Sequence, residues 1–64
     1  MKYKILTDND TGEQDWTDCY FIYAKSDKEA EDKTRLMWLE NKLGAAVTAA
    51  DLYSPDGRII QSFG

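Results

Sequence analysis

Ser26-Asp27-Lys28-Glu29 constrains the layout of this chain most, because it matches the capping box that opens a helix. The Ser26 hydroxyl can accept from the Glu29 backbone N–H, and the Glu29 side chain can reach back to the start of the turn. Asp27 and Glu29 also suit the positive end of a helix. The helical pattern continues to about Leu43, where Gly44 follows as a left-handed cap. A helix placed there divides the chain into two short flanks, and each flank reads as a hairpin.

In the first flank, Lys2 to Thr7 alternates as a strand. Asp8-Asn9-Asp10-Thr11-Gly12 is dense in turn formers. A second strand runs from about Trp16 to Ala24, and its centre, Cys19-Tyr20-Phe21-Ile22-Tyr23, is apolar at every position. Lost alternation is the mark of a strand covered on both faces. In the second flank, a strand is expected from about Val47 to Ser54. Pro55-Asp56-Gly57 makes a tight turn, and Arg58 to Phe63 forms the last strand. The expected fold is therefore α+β, in the order β-β-α-β-β, with one helix packed on a four-stranded, mainly antiparallel sheet. The third strand could lie beside the first or at the far edge.

At 64 residues the chain is a single domain, residues 1–64. A chain this short buries only about 60% of its unfolded surface, which leaves little for a deep pocket. The 42% hydrophobic and 31% charged residues are a globular balance. No apolar run is long enough to cross a membrane, and the N-terminal residues lack the apolar stretch of a signal peptide. The expectation is a cytoplasmic protein with no membrane partner.

The helix carries more apolar surface than one sheet can use. Ala30, Thr34, Met37 and Trp38 fall on an arc roughly 100° wide, and Leu36, Leu39 and Leu43 on another, roughly 60° wide, nearly opposite. Surplus apolar surface usually marks an interaction site. Trp38, Leu39 and Tyr20 are the leading partner-binding candidates, joined by Leu36, Leu43 and Ile22.

Chemistry is sparse. The chain has no His, so the usual neutral-pH base and the commonest metal ligand are missing. Cys19, the only cysteine, sits among bulky apolar residues and reads as a buried structural thiol. No glycine-rich phosphate loop is present. The Asp8–Gly12 turn resembles a calcium loop only faintly: an EF-hand needs glycine sixth and glutamate twelfth, and here Gly12 is fifth and Cys19 twelfth. Glu40-Asn41-Lys42 matches a nuclease fragment but falls in the last helical turn, where Lys42 suits the negative helix end. No enzyme activity and no cofactor are expected.

The net charge of −4 argues against nucleic-acid binding. Between Asp8 and Asp18 lie five acids (Asp8, Asp10, Glu13, Asp15, Asp18) and no base. The leading expectation is a non-catalytic protein–protein interaction module that self-associates as a homodimer and acts by occupying a partner surface. The alternative is a small acidic inhibitor, similar in style to phage and mobile-element accessory proteins, whose 8–18 segment blocks the basic nucleic-acid site of a host enzyme. A further alternative is a weak metal or ligand binder through the Asp8–Gly12 turn.

Overall fold

The computed structural model describes residues 1–9, 17–44 and 47–64. Strand β1 (Lys2–Asn9) and strand β2 (Thr17–Tyr23) precede helix α1 (Asp27–Leu39), and strands β3 (Val47–Tyr53) and β4 (Ile59–Phe63) follow it. The four strands form one antiparallel sheet in the order β2-β1-β3-β4. The fold is the expected α+β arrangement of two hairpins and one helix. The open question of strand order resolves with β1 at the centre, hydrogen-bonded to β3 as well as to its own hairpin partner.

Strand β1 runs two residues past the expected Thr7. Asp8 and Asn9 pair with Ala49 and Val47 across a register shift, so these turn formers extend the strand instead of ending it. The Asp10–Gly12 part of the expected turn lies outside the described residues. At the other hairpin, Gly57 N–H donates to the Ser54 carbonyl at 3.0 Å, and Ser54 N–H donates to the Arg58 carbonyl at 2.8 Å. Gly57 has φ 91°, the positive value expected there.

The helix starts as the sequence predicts. Ser26 accepts from Glu29 N–H at 3.2 Å through its side chain. It ends four residues early, which is the main correction to the sequence reading. Asn41, not Gly44, carries the left-handed turn at the helix end, with φ 57°. Lys42 N–H donates to the Met37 carbonyl at 2.9 Å, and Asn41 N–H to the Trp38 carbonyl at 3.2 Å. This pair of bonds is a Schellman motif, and Asn is the residue after Gly that best tolerates its left-handed position. Gly44 also has positive φ, 119°, but within the turn leading to β3.

The early stop sends Leu43 inward, to 2% exposure, where the Tyr20 hydroxyl donates to its carbonyl at 3.2 Å. Tyr3, Ile5, Leu52, Ala50, Phe63, Ala24 and Ala30 complete the buried apolar set. Thr34, fully buried on α1, satisfies its hydroxyl by donating to the Ala30 carbonyl at 2.8 Å. Tyr3 is also fully buried, and its hydroxyl donates to Asp27 at 2.8 Å. The second Asp27 oxygen accepts from Arg58 at 3.4 Å. One carboxylate in the first helical turn thus ties together β1, α1 and the start of β4.

Candidate functional site

Helix α1 covers one face of the sheet, and the register identifies what remains on the other. Tyr3, Ile5 and Thr7 are buried, so Lys2, Lys4, Leu6 and Asp8 line the opposite side of β1. On β2, Tyr23 pairs with Lys2, Phe21 with Lys4 and Cys19 with Leu6. On β3, Tyr53 pairs with Lys4, Asp51 with Leu6 and Ala49 with Asp8. Ile59 of β4 stands beside Tyr53, because the register shift at Leu52/Tyr53 turns it outward while Ile60 packs against the core.

This uncovered face carries large apolar groups in water. Phe21 is 55% exposed, Tyr23 67% and Ile59 52%. The lysine ammonium groups lie against neighbouring rings, Lys2 at 4.3 Å from the Phe21 ring centre and Lys4 at 5.3 Å from that of Tyr53. A depression of about 460 Å³ opens beside them, lined by Lys2, Lys4 and Phe21 together with Met1 and the Ser54–Gly57 turn. The charge is polarised along β1, with Lys2 and Lys4 at one end and Asp8, with Asp51 nearby, toward the other.

The partner-binding set expected from the sequence does not form one surface. Leu36 and Leu39 are exposed on the outer side of α1, at 51% and 70%. Trp38 is half-buried and sits 6.1 Å from the Phe63 ring. Tyr20 and Ile22 are half-buried on the helix side of the sheet, packed against the core. Leu43 leaves the set altogether. The helical wheel placed it beside Leu39 by assuming a helix that continues to residue 43, and the Asn41 reversal removes that assumption.

Cys19 is a second correction: it is exposed, on the uncovered face, rather than buried. Among the described residues its strand is covered on one side only, so the unbroken apolar run of β2 reflects surplus surface there and not two buried faces. Of the acidic segment, Asp8 is exposed at the end of the uncovered face, and Asp18 pairs with Thr7 in register. Asp10, Glu13 and Asp15 lie outside the described residues. Among the described residues, no group of three His, Cys, Asp or Glu is placed to hold a metal ion, and no helix is long and apolar enough to cross a membrane.

The residues missed from sequence were Lys2, Lys4, Phe21, Tyr23, Tyr53 and Ile59. The signal was present: Tyr3 and Ile5 of β1 are the large apolar residues that face the helix, and strict alternation puts Lys2 and Lys4 on the other side. What alternation could not supply was β3 as the neighbour of β1, which brings Tyr53 to Lys4.

Fold and surface together define a small α+β protein with an aromatic-rich sheet face that no other described element covers. Comparison with known proteins finds no matching family, no matching curated relative and no matching solved structure.

Proposed function

We propose that this chain is a non-catalytic protein-binding module that docks through the sheet face opposite α1. The observation that carries this reading is the exposure of Phe21, Tyr23 and Ile59 on one continuous face. These large apolar groups share one sheet face with Lys2 and Lys4 between them, and aromatic side chains dominate binding energy where interfaces form. The partner surface it fits is apolar, with an acidic group positioned to meet Lys2 or Lys4. The outer leucines of α1 are a smaller patch without aromatics, which is why the sheet face ranks above them.

Capture from the source lysate, compared between two folded variants, tests the choice of face. Phe21→Asp should reduce protein capture to background, and Leu39→Asp should leave it intact. Capture that survives Phe21→Asp and fails with Leu39→Asp would move the site to the helix. Nuclease-sensitive capture would reassign the face to single-stranded nucleic acid. Lys2 beside the exposed Phe21 ring and Lys4 beside the half-buried Tyr53 ring favour that outcome, and the net charge of −4 opposes it.

A further inference from the structure

We infer that the occupant of this sheet face is a second copy of the chain, laid across it with its strands reversed. The inference rests on the docking face proposed above and names its partner. Along the uncovered side of β1 the order is Lys4, half-buried Leu6, then Asp8. A two-fold axis lying across the strands at Leu6 reverses this order in the second copy. Each Lys4 then faces the other copy's Asp8, and Leu6 meets Leu6.

Size follows the same symmetry as charge. On β3, Tyr53 stands level with Lys4 and Ala49 level with Asp8. The same reversal therefore sets each large Tyr53 ring over the small Ala49 of the other copy. An isologous two-fold interface requires self-complementarity of this type, and every favourable contact occurs twice. A partner with an unrelated surface would have no reason to match the spacing of this chain's own charges.

The area limits how tight the pairing is. Strands about 4.8 Å apart with a rise of about 3.3 Å per residue give a four-stranded face on the order of 500 Å². Two copies then bury on the order of 1,000 Å², at the lower edge of stable interfaces. The dimer is accordingly reversible, concentration-dependent and weakened by salt.

One contact opposes it: Asp51 stands level with Leu6, so it faces its own copy across the axis. Asp51→Asn should therefore tighten the dimer severalfold. Exposed Cys19 is level with Leu6 on the other side, on β2, and reports the geometry. Facing sheets lie about 10 Å apart, too far for a direct disulfide but within reach of a short bis-maleimide.

Sedimentation equilibrium of the full chain, with folding checked by circular dichroism, decides the matter. Lys4→Asp and Asp8→Lys should each weaken the dimer tenfold or more. An equimolar mixture of the two should recover wild-type affinity within about threefold, because both cross-copy pairs become attractive again. Bis-maleimide should link wild-type chains through Cys19 and fail to link Lys4→Asp chains. A wild-type chain that stays monomeric at millimolar concentration overturns the inference. Mixing that fails to restore association overturns it too. If the chain is monomeric while capture of another protein still depends on Phe21, the docking face stands and only its occupant is wrong. A dimer indifferent to Phe21→Asp and to both charge reversals removes the dimer from this face, and the docking reading then rests on the capture comparison alone.

Discussion

Leu39 and Leu43 occupy one stripe of a helical wheel, yet truncating them should have very different consequences. Leu43 is 2% exposed and Leu39 70%. Removing a buried leucine side chain costs about 2–5 kcal/mol, the spread reflecting how far the site collapses around the cavity. Leu43 borders a depression of about 140 Å³ shared with Trp38, Gly44 and Val47, so its surroundings have room to relax. The bond from Tyr20 goes to its backbone carbonyl and survives truncation. Both points favour the lower half of the range, about 3 kcal/mol for Leu43→Ala.

Leu39→Ala, on a helix surface mostly in water, should fall within about 0.5 kcal/mol of wild type. A chain of this length has roughly 3–10 kcal/mol in total, so Leu43→Ala removes a large share. The thermal midpoint should drop by roughly 12–24 °C. Urea titration followed by far-UV circular dichroism at low protein concentration measures both variants, with the slope checked for constancy. Losses that agree within about 1 kcal/mol would refute the reasoning, since only a helix continuing through residue 43 exposes both leucines equally.

The left-handed turn at Asn41 gives a second expectation: Asn41→Gly should match or slightly exceed wild-type stability in a thermal melt, whereas Asn41→Val should lose about 1–2 kcal/mol. Stability should also depend on pH at both extremes. Burial, reinforced by the hydrogen bond to Asp27, raises the Tyr3 phenol above its ordinary 10.0. Its contribution is therefore complete below that value and is lost as pH rises through the higher folded one, and Tyr3→Phe should flatten this alkaline decline in urea midpoints. Asp56 behaves oppositely. The Ser54 hydroxyl bond holds its carboxyl below the ordinary 3.8, so its contribution is present above that value and fades as pH falls through the lower folded one. Ser54→Ala should flatten the acid limb.

Where local chemistry decides the structure, the sequence was legible. The Ser26 capping box, the Pro55–Gly57 turn and the alternation of β1 were all visible in neighbouring residues. The helix end was not, because Asn41 and Gly44 can both adopt a left-handed conformation and only tertiary packing chooses between them. Burying Leu43 with its carbonyl met by Tyr20 makes that choice. The uncovered face was half legible. Unbroken apolarity in β2 announced surplus surface, but the partner-binding residues were then sought on the helix, whose second arc looked larger than it is, and at Tyr20 and Ile22, which lie on the core side of β2. Strand pairing between distant segments, which no local pattern encodes, joined Tyr53 to Lys4 and set the lysines among the aromatic rings.

The central position of β1 has a consequence for how the molecule comes into being. Its pairing with β2 closes a local hairpin, but its pairing with β3 joins Lys4 to Tyr53, across about three quarters of the sequence. That closure carries the larger entropic cost and sets the pace of folding. Of the four strands, β1 is the earliest to be synthesised, and one of its sides stays unpaired until β3 and the helix arrive. During that interval Tyr3 and Ile5, fully buried at the end, are open to solvent on a nascent hairpin. The period of greatest aggregation risk thus falls between completion of the first hairpin and docking of the second.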